Sequence, residues 1–314
     1  MRDISNKPTT LRTAKAQAVV FCSRATIELI REKKIPKGDV FEFARAAGYL
    51  GAKNTPHLIP HCHPITIDSL KFDFNILTND NFTRYTSLQE FRPGIAIVGE
   101  AKCIGRTGIE IEAITGVSIA ALTIYDILKP FDGTLEISHT KVTEKTGGKS
   151  STLAISGKPI CAILVCSDTS HSGKREDTSG KLIKKILEGN NADVVDIAVV
   201  ADEKNEIQNK IRSWVTKDIH YIFTTGGTGL SLRDITTEAV EELLEKNMIG
   251  IAEAMRSHGQ ARAQRAMFSR SVVGSVNKTI IISLPGSVNG VQESLDAILP
   301  ELFHARTILL GGSH

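Results

Sequence analysis

The sequence predicts two domains of different class: an antiparallel sheet with helices on one side over residues 1–152, and an open, mainly parallel α/β domain over residues 159–314. Three observations carry this. At 314 residues the chain exceeds the usual size of one hydrophobic core. The first half offers alternating segments such as ITIDSLKFDFNI at 65–76, bounded by turns. The second half opens on a continuous apolar run, ICAILVC at 160–166, and then repeats strand and helix, as in a parallel sheet covered on both faces.

Composition narrows the function classes. Apolar residues make up 41% and charged residues 23%, ordinary values for a soluble globular protein. A net charge of +3 argues against nucleic acid, although local basic clusters could meet a small polyanion. Aromatic residues, at 5%, are too few for base-stacking platforms. Five cysteines without a CxxC pair indicate neither a disulfide framework nor a zinc knuckle. The first residues lack an apolar signal core, and the apolar runs read as shorter than a membrane span, so a cytoplasmic protein is expected.

In the first half, 3–13 reads as polar and irregular, and AQAVVFC at 16–22 as a short strand. Ser23 suits the N-cap of a helix from Arg24 to about Lys33. After the turn at Pro36 to Asp39, Asp39 suits the cap of VFEFARAAGYLGAK, whose apolar residues recur at helical spacing and which Thr55-Pro56 should interrupt. HLIPHCHP at 57–64 then places three histidines beside Cys62. The spacing matches no common zinc pattern. Pro60 and Pro64 frame a rigid loop that could aim His63 into a pocket, or hold it as a structural histidine. Cys62 as a nucleophile would have only its flanking histidines as activators.

Strand-like residues at 95–104 lead into GRTGIEIEAITGVSIAALTIYDILK at 105–129, the stretch around which the first half is organised. Glu110 and Glu112, two apart in a short alternating segment, are expected on one strand face. Asp126 and Lys129, three apart in a helical run, are expected on one helix face. Two solvated faces are the plain alternative. A strand at 135–144 follows, and then KTGGKS at 145–150, basic and glycine-rich enough to approach a phosphate or simply to act as a linker. It is not a P-loop, because the spacer and following helix are missing.

The second half continues after its first strand with a polar loop, SDTSHSG at 167–173. Asp177 or Thr178 should begin a helix with an apolar stripe at Leu182, Ile183, Ile186 and Leu187. A strand at 192–200, Asp202 at its carboxyl end, a helix at 205–214 and a strand at 219–224 come next. Gly226-Gly227-Thr228-Gly229 directly after that strand can expose backbone N–H groups to a phosphate, or form a tight structural turn. Asp234 could cap the helix starting at Thr236 or hold a cation. Arg256, His258, Arg262 and Arg265 form either a solvated basic face or interface packing. A strand at 278–284 and a helix at 288–302 close the chain.

KGDVFEFARAAG, LIPHCHP, TGIEIEA, AALTIYDILK and KTGGKS together resemble the cyclic pyranopterin monophosphate synthase family, the molybdenum cofactor biosynthesis C protein, over residues 2–151. The resemblance implies a ferredoxin-like α+β domain in hexamers built from dimers. It also implies conversion of a cyclised dihydroguanosine triphosphate into cyclic pyranopterin monophosphate, releasing pyrophosphate, with no cofactor. It places a catalytic pair on Asp126 and Lys129, a pocket lysine on Lys37 and a catalytic histidine on His63. Arg12, Cys62, Glu110, Glu112, Lys145 and Lys149 fall in the substrate-binding set. Asn54, His57, His61 and Arg106 depart from the family pattern. In chemical terms, the lysines could meet the triphosphate with charge-assisted hydrogen bonds, and Lys129 could act as general acid/base with Asp126 as its partner.

SDTSHSGKREDTSG, VVADE, TTGGTGLSLRD and LPGS, over residues 159–310, are similar to the molybdopterin-binding domain family, specifically its molybdopterin adenylyltransferases and B-protein relatives. This implies an α/β domain, often trimeric, that transfers adenylate from ATP to molybdopterin with magnesium. The family's two aspartates fall on Asp202 and Asp234, as catalytic groups and magnesium ligands. Ser167, Asp168, Asp177, Gly226, Gly227, Thr228, Gly229, Ser283, Pro285, Gly286 and Ser287 fall at its pocket. Leu230 and Asn289-Gly290 depart from the family pattern. The expectation is one bifunctional enzyme for two non-consecutive steps of molybdenum cofactor synthesis, assembled with three-fold symmetry. A second half that only binds or scaffolds molybdopterin is the alternative.

Overall fold

The computed structural model describes residues 1–148, 157–168 and 177–312. Two compact units divide the chain, Met1–Ser151 and Thr152–His314.

Unit 1 begins with β1 (Thr10–Phe21), longer at its start than the apolar run alone suggests because Thr10 to Lys15 also pair with β3. Helix α1 (Arg24–Arg31) starts at Ser23, whose hydroxyl accepts the Thr26 N–H. Helix α2 (Val40–Lys53) starts at Asp39, whose carboxylate accepts the N–H groups of Phe41 and Glu42 at 3.0 and 3.2 Å. The chain breaks at Asn54 and resumes as the single turn α3 (Thr55–Leu58), with Pro56 in its first turn. β2 (Ser69–Ile76), the turn α4 (Phe82–Tyr85), β3 (Gly94–Gly105), α5 (Glu110–Leu128) and β4 (Glu136–Thr146) follow. The sheet order β2-β3-β1-β4 is antiparallel throughout, the ferredoxin-like arrangement. Helices α2 and α5 cover one face through Phe72, Val117, Ala120 and Ile124, all buried.

The expected strand at Glu110 and Glu112 is a helix. Both acids lie in the first turn of α5, where the carboxylates meet the positive end of the helix dipole. Alternation over three residues mimics a strand. The helical period gives Glu112 to the interior and leaves Glu110 half-buried. Helix α5 is also, among the described residues, long and apolar enough to cross a membrane. Its packing against the sheet makes it a core helix.

Unit 2 contains β5 (Ile160–Cys166), α6 (Thr178–Gly189), β6 (Asp193–Val200), α7 (Lys204–Val215), β7 (Tyr221–Thr225), α8 (Thr236–Glu241), β8 (Lys246–Asn247), α9 (Ile249–Gln260), β9 (Val273–Val276), β10 (Thr279–Leu284), α10 (Val288–Ile298) and α11 (Ala305–Leu309). The sheet order is β6-β5-β7-β10-β9-β8. The first four strands are parallel, whereas β9 and β8 continue the sheet antiparallel. No local sequence pattern marks these two short strands. Buried clusters line both faces of the sheet, one around Ile163, Phe223 and Ile282 and the other around Leu164, Ile222 and Trp214. Each such side chain removed from water contributes roughly 1.5–3 kcal/mol. The chain turns back on either side of β5, so a crevice opens at the carboxyl ends of β5 and β7.

Candidate functional site

In unit 1 the candidate residues form two groups at opposite ends of α5. At the carboxyl end, Asp126 holds two cations. Lys129 Nζ lies 2.6 Å from its Oδ1, and Lys37 Nζ lies 3.4 Å from its Oδ2 and 3.2 Å from its carbonyl oxygen. The spacing of three within α5 brings in Lys129, and the turn before α2 delivers Lys37. Lys129 holds the Asp126 carboxyl below its usual range, with Lys37 adding to this, and Asp126 in turn pushes Lys129 up. Lys129 is therefore an ammonium in this arrangement, able to donate a proton or bind an anion. All three side chains are exposed.

At the amino end, Glu112 is 2% exposed and accepts from Cys62 Sγ at 3.3 Å, while its other oxygen is buried without a hydrogen-bond partner. Burial pushes the Glu112 carboxyl up. Burial, then the hydrogen bond to Glu112, pushes the Cys62 thiol to about 11. A thiol held there is a donor rather than a ready nucleophile. Lys145 reaches Glu110 at 3.7 Å. Arg12 is buried, donating from Nε to the Gly105 carbonyl at 3.2 Å. The chain wraps it closely: Gly147 and Gly148 have φ of +97° and +70°, and a Cβ at Gly148 would collide with the guanidinium. His63 is half-buried in the loop next to Cys62. His57 is in α3, and His61 lies 3.5 Å from the chain's amino group. Lys149 lies outside the described residues. The rise of a helix sets the two groups roughly 24 Å apart along α5.

In unit 2 the candidate residues converge at the crevice. Asp168 follows β5 and Asp202 follows β6. The Asp168 N–H donates to Asp202 Oδ2 at 3.2 Å, and the Asp202 N–H donates to Asp168 Oδ1 at 3.0 Å. Asp202 Oδ1 is buried without a hydrogen-bond partner. Burial pushes the Asp202 carboxyl up, and the neighbouring charges of Asp168 and Asp234 add to this while Arg233 opposes it. The glycine loop passes alongside. Gly226 and Gly227 have φ of +94° and +60°, and a Cβ on Gly226 would strike the Cys166 carbonyl, so only glycine lets β7 turn this tightly.

Asp234 accepts the Ser231 N–H at 2.8 Å and closes the loop on itself. It does not cap α8, whose N-cap is Ile235 with no side-chain cap bond. Its backbone is already committed to the loop turn. Asp177 does cap α6, through the Gly180 N–H at 2.8 Å. Ser287 caps α10, through the Gly290 N–H at 3.1 Å. The Pro285 carbonyl accepts from Thr225 Oγ1, and the Gly286 carbonyl from Ser179 Oγ. Ser283 is fully buried within β10, bonded to Thr224 Oγ1 at 3.1 Å.

A cavity of about 210 Å³ lies between Ser167, Asp177, Asp202, Gly226 and Gly286. A second, of about 410 Å³, lies beyond Gly229, Gly286 and Ser287, walled by Met255, Arg256 and Phe268. Sequence reasoning did not single out Arg233 or Arg270. Arg233 binds Asp168 and lies 3.7 Å from Glu203. Its only signal was its place beside Asp234 in the glycine motif.

The unpartnered Asp202 oxygen, with Asp234 close enough to act on it, fits a divalent cation. Among the described residues no cluster of three or more His, Cys, Asp or Glu forms a metal cage. A magnesium-like ion needs none, since it takes one or two carboxylates, waters and the phosphates of its ligand.

The fold defines a two-domain chain with two chemically distinct candidate sites. One domain presents lysines around a carboxylate, and the other a glycine loop beside half-buried acids. Residues 1–148 match the MoaC family, and residues 162–304 match a probable molybdopterin binding domain. A molybdenum cofactor biosynthesis bifunctional protein of Chlorobaculum tepidum is 35% identical over 100% of this chain and 96% of its own length. A cyclic pyranopterin monophosphate synthase of Clostridium perfringens is 45% identical over 48% of this chain and 87% of its own. The crystal structure of the molybdopterin biosynthesis enzyme MoaB from Thermus thermophilus is 40% identical, covering 48% of this chain and 96% of that one, with a TM-score of 0.46. The chain belongs to the molybdenum cofactor biosynthesis bifunctional protein family. It is a bifunctional enzyme joining a cyclic pyranopterin monophosphate synthase half to a molybdopterin adenylyltransferase half.

Proposed function

We propose that unit 1 converts a cyclised dihydroguanosine triphosphate into cyclic pyranopterin monophosphate and pyrophosphate. In unit 2, adenylate passes from ATP to molybdopterin. The observation that carries the first reaction is the shared carboxylate of Asp126, which fixes Lys37 and Lys129 side by side. Two ammonium groups held together meet a triphosphate with charge-assisted hydrogen bonds. Lys129, kept protonated by Asp126, serves as the acid when the purine ring is opened and reclosed. Arg12, Lys145 and Lys149 supply further positive charge, and Glu110, Glu112, Cys62 and His63 surround the other end of the ligand. One nucleotide cannot span both ends of α5, so the groups would come from two copies of the chain. This supports a homo-oligomer in which two copies complete each site.

In unit 2, Asp202 and Asp234 would hold magnesium, which when bound with ATP spreads the phosphate charge and favours the leaving pyrophosphate. Ser167 and Asp177 border the smaller cavity with Gly226 and Gly227, and Asp168 braces Asp202 beside it. Thr228, Gly229, Gly286 and Ser287 lead into the larger one, which suits the pterin. Five free thiols, four of them buried, support a reducing compartment such as the cytoplasm.

The test is product analysis of the full chain, once with the cyclised nucleotide and once with molybdopterin, ATP and magnesium. Cyclic product in the first reaction and adenylylated molybdopterin in the second are expected. Binding of molybdopterin without adenylate transfer would make unit 2 a carrier or scaffold and end the second half of the proposal.

A further inference from the structure

We infer that Arg270 is the positioning residue of the glycine loop, holding the loop's carbonyls so that its N–H groups face the ligand. The backbone N–H of Arg270 donates to the Thr228 carbonyl at 3.1 Å. Its guanidinium donates from Nε to the Gly229 carbonyl at 2.6 Å and from Nη2 to the Asp234 carbonyl at 2.5 Å, while Nη1 bonds the Glu238 carboxylate. One residue thus grips the loop at both ends and ties it to the first turn of α8.

The consequence follows from peptide geometry. A trans peptide is planar, so its N–H points opposite to its C=O. Fixing the Thr228 and Gly229 carbonyls toward Arg270 turns the N–H groups of Gly229 and Leu230 the other way. Neither of these N–H groups donates to an acceptor among the described residues. Arg270 lines neither cavity of the candidate site; it stands on the far side of the loop, in a separate hollow with Thr237 and Glu241. It therefore acts through the loop and not on a ligand. Holding Asp234 by its carbonyl, it also sets the position of that carboxylate. The planar guanidinium matches three acceptors at once, which a lysine ammonium at the end of a flexible stem does not.

The inference rests on the reading that this loop binds the phosphates of ATP. The experiment uses the full-length chain and the R270K and R270A variants. It reads three quantities: the melting temperature, the ATP dissociation constant with magnesium by calorimetry, and kcat and KM for adenylate transfer. R270K retains charge and is expected to retain the melting temperature. Its ATP affinity is expected to fall about tenfold, equal to about 1.4 kcal/mol, and its kcat to fall as well. KM for molybdopterin should rise as well, because Thr228 and Gly229 also border the cavity assigned to the pterin. R270A should lose more of both ATP affinity and kcat. Wild-type ATP affinity in R270K, or a loss of melting temperature with ATP affinity unchanged, would overturn the positioning role. If the wild-type chain binds ATP without transferring adenylate, the catalytic reading fails while the affinity ratio still decides on Arg270. If the wild-type chain binds no ATP, both fall together.

Discussion

Asp168 and Asp202 each accept the other's backbone N–H, at 3.0 and 3.2 Å, across the carboxyl ends of two adjacent parallel strands. This exchange leaves one Asp202 oxygen buried and free toward the glycine loop. A metal-dependent reaction at this point would be separable from the chemistry of the other half. Chelation with EDTA should abolish adenylate transfer and leave cyclisation intact, and magnesium should restore it. D202N and D234N should each reduce transfer at least 100-fold while sparing cyclisation. Normal transfer in either variant would remove that residue from the site.

The acid limb of the adenylate-transfer pH profile should be displaced upward. Burial pushes the Asp202 carboxyl above the ordinary aspartate value; the Asp168 N–H opposes this, and the charges of Asp168 and Asp234 add to it. Protonation, which opposes cation binding, therefore sets in at a higher pH than for an exposed aspartate. Raising magnesium should move the limb back toward acid, because the cation favours the ionised form. A limb insensitive to magnesium would place the titrating group elsewhere.

Replacing Asp126 by asparagine removes the shared partner of Lys37 and Lys129. Both lysines are exposed, so stability should change little. Cyclisation should fall about 100-fold or more, within the usual range for a general acid or base, and Lys129→Ala should abolish it. Quantifying cyclic product in both variants, with thermal melts as a control on folding, checks this. A K129A enzyme with normal turnover would end the assignment.

Asp132 is a structural counterpart. Buried after α5, it accepts from the Ser23 N–H at 2.6 Å, from Thr26 Oγ1 at 2.8 Å, and from the Thr134 N–H and hydroxyl at 2.8 and 2.6 Å. Burial opposes the charge, but these donors together hold the carboxyl well below its usual range. A depressed folded value means that the stabilisation is fully present above the ordinary aspartate pKa and is lost as pH falls through the folded one. Asp132→Ala should cost about 3 kcal/mol, since it strands buried donors. The variant should also lose part of the wild type's acid dependence of stability. Urea titrations of both proteins between neutral and strongly acid pH measure this.

Glu112 has the opposite sign. Its folded carboxyl is raised by burial, so the native state keeps a proton that the unfolded chain releases. Stability should decline as pH rises from the ordinary glutamate value through the folded one. Glu112→Gln should melt a few degrees higher at neutral pH and show a flatter profile, while its cyclisation rate falls. An unchanged profile would mean that the carboxyl is ionised in the folded chain.

Much of this architecture can be read from residue order. Ser23, Asp39 and Asp177 announce helix starts because a short polar side chain before an apolar period has one good use, accepting the N–H groups of the first turn. ICAILVC could only be a doubly covered strand or a buried helix segment, and its length selects the strand. The features that escaped are those set by distant parts of the chain. Glu110-Ile111-Glu112 alternates like a strand, yet the helix that follows claims it. β9, with the sequence VGSV, has no period of its own and takes its form from pairing with β10. Arg270 sits 41 residues beyond the carbonyl it binds, and nothing local marks it. The motifs placed Lys37 and Asp126 in one family pattern. Only the fold brings their side chains together, from residues 89 apart in the chain.

The unit 2 crevice is built from the ends of β5, β6, β7 and β10, strands spread over more than 120 residues of sequence. Such a site has no local precursor. Asp168 and Asp202 can exchange hydrogen bonds only once β5 and β6 have paired, and the glycine loop has a surface to face only when β7 and β10 have joined them. Nucleotide capture would therefore begin late in folding and would report on the whole sheet. A ligand at one hundred times its dissociation constant would add about 2.7 kcal/mol to the stability of the entire unit. Its own substrate supply would then help to set how long the enzyme survives proteolysis in the cell.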